Sequence, residues 1–201
     1  RNCFTVLDTH DGIGIMDAAR QGDLEGLLAD EEIDSLVETI HAKTGGASRR
    51  ASGHAASNLD IYQVNSTYYD ALARADVDYL IARAIQFFSP GKPQVYYVGL
   101  LAGHNDVDLV EKTGVGRDIN RHYYSRDEIR AALERPVVRN LLELVSVRNQ
   151  VSAFDGEFSI PDCPPNEVIP LWEPRHATGE RPARLEDRLA PIQLAEPRGP
   201  L

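Results

Sequence analysis

The run Phe4-Thr5-Val6-Leu7-Asp8-Thr9-His10-Asp11-Gly12-Ile13-Gly14 restricts the fold more than any other stretch of this chain: apolar, β-forming residues lead straight into a His-Asp pair and a glycine-flanked loop. A buried strand that ends in polar side chains holds them rigidly at the open mouth of an α/β barrel, where such folds place their chemistry. At 201 residues and 42% hydrophobic content the chain can bury one sizeable core, so it holds one domain or one domain plus a piece. It begins mid-strand at Arg1 and has its only methionine at Met16, which predicts a portion of a longer protein.

A net charge of -10 argues against a nucleic-acid partner, because neutralising phosphates needs clustered Lys and Arg. No apolar stretch approaches the roughly 20 residues of a membrane span, and no secretory leader is legible. Cys3 and Cys163 have neither metal-ligand spacing nor the pattern of a disulfide framework. The expectation is a cytoplasmic chain with no membrane partner, no metal and no cofactor.

Further along, Asp30 is a candidate N-cap for a helix over 31–42, with Ile33, Leu36, Val37 and Ile40 on one face and Gly45-Gly46 as its stop. Residues 45–58, rich in Gly, Ser and Ala, read as a loop. Asp76 opens a helix in which Val77, Leu80, Ile81, Ala84, Ile85 and Phe88 follow helical spacing. Ser89 to Pro93 is a turn and Gln94 to Val98 a strand. Residues 100–124 read as a long loop, a length that usually serves function. Ser125 and Glu128 form a capping-box signature for a helix that Pro136 interrupts and that resumes through Val147. Phe154 to Trp172 suggests the first strands of a small β-domain. The stretch from Glu173 to Leu201 holds five of the twelve prolines and lacks sustained periodicity, which predicts a tail that is disordered or, given 18 Arg against 3 Lys, translated out of frame. Strand, excursion, helix, strand and helix in this order make βα units of a parallel sheet.

Four segments carry a resemblance: LDTHDGIG at 7–14, ASNLDIYQVNSTYY at 56–69, PQVYYVGLLAG at 93–103 and GRDINRHYY at 116–124. Together, in this order, they resemble the sucrose phosphorylases, a branch of the α-amylase-like glycoside hydrolase family. The resemblance implies an α/β fold that is the last quarter of a (β/α)8 TIM barrel, strands 7 and 8 with an inserted subdomain, plus the start of a C-terminal β-domain. Residues 1–14 would be strand 7 and its catalytic loop, 15–76 the insert with an acceptor loop, 77–150 helix 7, strand 8 and helix 8, 151–173 the truncated β-domain, and 174–201 the tail.

The chemistry implied is retaining glucosyl transfer from sucrose to inorganic phosphate, giving α-glucose 1-phosphate and fructose. That mechanism uses a nucleophilic carboxylate and a carboxylic general acid/base flanking the anomeric carbon, which in the family follow strands upstream of Arg1, so the isolated chain is expected to be inactive. Asp11 matches the third acid, the transition-state stabiliser. His10 would contact the same sugar; taken alone, a strand-end His more often satisfies backbone groups. Arg117 matches an arginine that reaches the distal glucosyl hydroxyls, and Asn120 and Arg121 would hold its loop in shape. Asp60 and Gln63 would bind fructose, while Tyr62 would accept phosphate once the loop swings Asp60 away, since a fixed carboxylate repels a phosphate dianion. Relatives acting on sucrose 6-phosphate tend to differ at the Tyr62 position, which favours plain sucrose over sucrose 6-phosphate; the glucosylglycerate and glucosylglycerol phosphorylases of the same branch stay open as alternatives. The resemblance allows a homodimer of the full-length parent. A reading of another class is a non-catalytic interaction remnant. Asp8 is expected to be structural, and Tyr68, Tyr69, Phe87 and Phe88 to be core.

Overall fold

A computed structural model describes residues 3–15, 18–20, 24–53, 63–164, 167–173 and 192–193. Its centre is a β-α-β arrangement. Strand β1 (Phe4–Val6) pairs in parallel with β4 (Lys92–Gln94), Phe4 opposite Lys92 and Val6 opposite Gln94. Helix α4 (Asp76–Phe88) packs on both strands, and its Gln86 ties them together by donating to the carbonyls of Thr5 (3.0 Å) and Gln94 (2.8 Å).

Helix α4 starts with Asp76 and Asp78, whose charges suit the positive end of the helix dipole. Its inward face includes Ala84 and Phe88 of the apolar stripe read from the spacing, with Leu80 packed on the same core, but is not that stripe alone. Tyr79, Arg83, Gln86 and Phe87 are buried, whereas Val77 and Ile85 stand exposed. The helix is rotated because Arg83 and Gln86 have fixed partners on the strand side. Leu80, Ile81 and Ala84 also line a groove shared with α8 (Pro136–Gln150). Pro136 occupies the first turn of α8, where a missing N–H leaves no helical bond unmade.

The capping box is present: Ser125 Oγ accepts from Glu128 N and Glu128 Oε2 accepts from Ser125 N, opening α7 (Arg126–Leu133). The main core gathers Tyr69, Tyr79, Phe87, Phe88, Leu101, Val137, Val138 and Leu141 between α4, α8 and the segments beside them. Each such fully buried large side chain contributes roughly 1.5–3 kcal/mol. A second core lies under α1 (Asp30–Lys43), where Ile33, Val37 and Ile40 meet Ile15 and Val64. There β2 (Ile13–Gly14) pairs antiparallel with β3 (Gln63–Val64).

Several expectations need correction. The first residue of α1 is Asp30 and its N-cap is Ala29, whose N–H is taken by Glu32 Oε2 at 2.8 Å. Residues expected to be loop form α2 (Ala47–Ser52), because Ser48 binds both His41 Nδ1 and Thr44 Oγ1 at 2.7 Å and so gains buried partners. The second strand of the parallel pair lies at Lys92–Gln94, not Gln94–Val98; after Gln94 the chain turns into the short helix α5 (Tyr97–Leu100). Gly99 fixes that turn, since a Cβ there would lie 1.8 Å from Asp8 Oδ2.

The supposed long loop contains α6 (Val107–Thr113), capped by Asp106 Oδ1 on Leu109 N, and a 310 turn over Gly116–Asn120. Strand β1 was expected to be buried, yet Phe4 and Val6 are exposed. The short helix α3 (Tyr68–Ala71) follows β3, with Thr67 as its N-cap. Beyond α8, β5 (Glu157–Ser159) pairs antiparallel with β7 (Leu171–Glu173), and buried Trp172 donates Nε1 to Phe88 O at 2.7 Å. Strand β8 (Ile192–Gln193) pairs antiparallel with β6 (Glu167–Val168).

Candidate functional site

The carboxyl end of β1 opens into a cavity of about 400 Å³ lined by Asp8, Thr9, Asp11, Gln63, Tyr68 and Asn120 among others. Asp11 sits on the loop leaving the strand, its N–H bonded to Thr9 Oγ1 at 3.1 Å. Its Oδ1 lies 3.3 Å from Arg117 Nη1 and 3.8 Å from Arg121 Nη2, yet makes no hydrogen bond among the described residues. Two guanidinium groups thus flank the carboxylate.

The loop is fixed through its backbone. Asn120 Nδ2 donates to Thr9 O (2.8 Å) and Asp11 O (3.2 Å), and Arg121 Nε donates to His10 O (2.9 Å). These bonds tie Asn120 and Arg121 to the Asp11 loop, while within the Arg117 turn that they were expected to hold in shape Arg121 Nη1 donates to Asp118 Oδ1 at 3.3 Å. His10 extends outward, its side chain 67% exposed and its Nε2 3.8 Å from Asp11 Oδ2. On the opposite side Gln63 Oε1 accepts from Gly12 N at 3.4 Å, which places Gln63 at the cavity wall. Sequence-predicted Asp11, Arg117, His10 and Gln63 therefore converge on one loop cluster. Asp60 and Tyr62 lie outside the described residues.

The floor of the cavity was only partly legible. Asp8 Oδ2 accepts from Arg83 Nη2 at 2.6 Å, and Arg83, wholly buried, also binds the Tyr79 hydroxyl (2.6 Å) and Gln86 Oε1 (2.9 Å). The Tyr79 hydroxyl donates to Gly99 O at 2.6 Å. This network carries the structural part expected of Asp8, but Arg83 and Tyr79 went unpredicted. An arginine four residues after a tyrosine, in a helix of otherwise apolar spacing, was the available signal. Tyr69, Phe87 and Phe88 are core as expected, whereas Tyr68 also lines the cavity. Burial raises the Tyr68 phenol above its ordinary pKa, with Arg83 opposing and Asp8 adding to the shift, so it presents a neutral hydroxyl.

Among the described residues, no three His, Cys, Asp or Glu side chains gather as a metal site, and no helix is long and apolar enough to cross a membrane. The cavity wall offers carboxylates at Asp8 and Asp11, amides at Gln63 and Asn120 and a phenol at Tyr68, with Arg117, Arg121 and His10 beside Asp11, groups suited to binding a polyhydroxylated ligand.

No family model matches the chain. It is 58% identical over 172 residues to the sucrose phosphorylase of Agrobacterium vitis, covering 85% of this chain and 35% of that protein. To the sucrose phosphorylase of Bifidobacterium adolescentis it is 60% identical over 161 residues, covering 79% and 32% respectively. The crystal structure of sucrose 6F-phosphate phosphorylase from Thermoanaerobacter thermosaccharolyticum superposes with a TM-score of 0.72 at 44% identity, covering 86% of this chain and 34% of that one. The chain thus spans about a third of the length of the relatives it matches. Over that shared third, this chain of mixed helix and sheet is a homologue of the sucrose phosphorylases.

Proposed function

We propose that the chain supplies the glucosyl-binding corner of a sucrose phosphorylase. In this reading β1 and β4 are strands 7 and 8 of a (β/α)8 barrel, α4 and α8 are helices 7 and 8, residues 15–76 form an inserted subdomain and residues 151–173 begin a C-terminal β-domain. The parallel pairing of β1 with β4 across α4 supports it. So does the order of the four motifs.

The observation that carries the reading is the 3.3 Å approach of Arg117 to Asp11, two residues from motifs more than a hundred positions apart. In a retaining double displacement, a nucleophilic carboxylate attacks the anomeric carbon of the glucosyl unit while a carboxylic acid protonates the departing fructosyl oxygen. Phosphate then attacks the glucosyl-enzyme, giving α-glucose 1-phosphate. Both of those carboxyl groups lie outside this stretch in the proposed scheme.

Asp11 accepts hydrogen bonds from glucose hydroxyls, and its negative charge stabilises the oxocarbenium-like transition state as positive charge grows on the ring. Arg117 orients Asp11 and donates to distal hydroxyls, with His10 beside them. Gln63, Asp60 and Tyr62 belong to the acceptor side. There a carboxylate at Asp60 welcomes fructose hydroxyls and must withdraw before phosphate enters.

The test is a chimera in which this chain replaces the matching third of the Bifidobacterium adolescentis relative. Phosphate-dependent formation of α-glucose 1-phosphate from sucrose, exceeding that from sucrose 6-phosphate, glucosylglycerol or glucosylglycerate, is the expected result. Preference for another substrate would reassign the acceptor. Turnover of sucrose by the 201-residue chain alone would contradict the division of catalytic groups.

A further inference from the structure

His122 lies just beyond the 310 turn that carries Arg117, outside the cavity that holds Asp11. Its Nδ1 is 2.6 Å from Asp106 Oδ2 and its Nε2 is 3.2 Å from Glu128 Oε1. Each of those carboxylates already caps a helix, Asp106 at the start of α6 and Glu128 at the start of α7. A ring with both nitrogens facing carboxylates is satisfied at both only as the imidazolium, because the neutral ring has one N–H and one lone pair.

This bridge encloses the turn. Asp106 N donates to Ile119 O at 2.9 Å, the Tyr97 hydroxyl donates to His122 O at 2.8 Å, and Arg121 Nε donates to His10 O at 2.9 Å. On the far side of the turn Gly116 lies against α2, where a Cβ would stand 1.8 Å from Ala51 O. The segment from 116 to 122 is therefore held at both ends.

We infer that His122 is a positioning residue: as an imidazolium it locks the Arg117 turn against the Asp11 loop, and it releases that turn on losing its proton. The inference rests on the assignment of Arg117 and Asp11 as the sugar-binding pair. The charged groups around the ring favour the cation. Asp106, the N-cap of α6, and Glu128 of α7 bond the ring, while Asp108, Arg135 and His104 line the same cavity, with the Arg135 guanidinium committed to the carbonyls of Leu101 and Ala102. The Tyr124 ring meets the imidazole edge-on at 4.5 Å between centroids, and burial pushes its phenol up to about 12, so it stays neutral.

Burial opposes a charge on His122, but the hydrogen bonds and charges of Asp106 and Glu128 outweigh it and raise its pKa above 6.5. With a raised native pKa, the bridge is complete below 6.5 and is lost as pH rises through the native value.

The test is a histidine and arginine side-chain NMR titration of the 201-residue chain from about pH 5 to about pH 9. The His122 ring is expected to titrate above 6.5, with the Arg117 Nε–Hε resonance following the same midpoint. His122→Gln removes the Arg117 step. Glu128→Gln, which keeps a capping oxygen, and Asp106→Asn each move the His122 midpoint down towards 6.5. An Arg117 resonance that stays flat through the His122 titration, or that titrates unchanged in His122→Gln, overturns the inference. That readout needs no turnover, so an inactive chimera sinks the sucrose phosphorylase reading without touching this result, and a flat Arg117 sinks this one with activity intact.

Discussion

Replacing Arg83 by Met removes the cation beneath the candidate site and leaves its partner stranded. The Asp8 side chain is 5% exposed, its Oδ2 depends on Arg83 Nη2 at 2.6 Å, and its Oδ1 has no hydrogen bond among the described residues. Methionine fills most of the arginine stem but offers no donor. An uncompensated buried carboxylate costs about 3–5 kcal/mol. The Tyr79 hydroxyl and Gln86 Oε1 each lose a charge-assisted bond as well. Asp8→Asn in the same background removes the stranded charge, so the double variant should recover about 2 kcal/mol relative to the sum of the single losses. Urea unfolding with linear extrapolation reads all four corners of this cycle. A loss below about 1 kcal/mol for Arg83→Met, or single losses that simply add, would refute the claim that this pair anchors the end of β1.

Gly99→Ala should cost roughly 1–3 kcal/mol, because the new Cβ would stand 1.8 Å from Asp8 Oδ2 and 2.0 Å from Arg83 Nη2. Differential scanning calorimetry should show a fall in Tm of roughly 2–12 °C, and an unchanged Tm would contradict the close approach. Burial opposes the ionisation of Asp70, but hydrogen bonds from His104, Arg74 and Asn105 N outweigh it and lower its pKa. A depressed native pKa gives stability that is present above the ordinary 3.8 and is lost as pH falls through the native value. Asp70→Asn should therefore be less stable than wild type by about 1–3 kcal/mol near neutral pH. That gap should narrow in chemical denaturation curves recorded below pH 3.8; a gap independent of pH would show that the charge of Asp70 contributes nothing.

Local patterns told the most where one residue dictates one contact. The Ser125–Glu128 capping box, the bounds of α4 and the break at Pro136 all follow from neighbours within a turn of helix. Patterns failed where distant partners decide. The periodicity of α4 pointed to Val77 and Ile85 as inward, but Arg83 and Gln86 turn the helix towards Asp8, Thr5 and Gln94, partners as many as 81 positions away. Composition marked 45–58 as loop, whereas the side-chain bonds of Ser48 stabilise a helix over part of it. Pro93 argued for a turn, and it nevertheless sits in β4 opposite Thr5. At the candidate site, the motifs named Asp11, His10, Gln63 and Arg117 because their chemistry is local. The buried support from Arg83 and Tyr79, and the His122 bridge, depend on side chains that only the fold brings together.

The most direct test of the glucosyl-binding assignment is the rate of phosphate-dependent fructose release by the chimera with and without Asp11→Asn. The substitution keeps the shape of the side chain and its place beside Arg117 but removes the charge that, in the proposed assignment, faces the developing oxocarbenium ion. A loss of about 10²–10³ in kcat, with the unfolding midpoint unchanged, is the predicted result. A folded Asp11→Asn chimera that releases fructose at the parental rate would contradict the assignment.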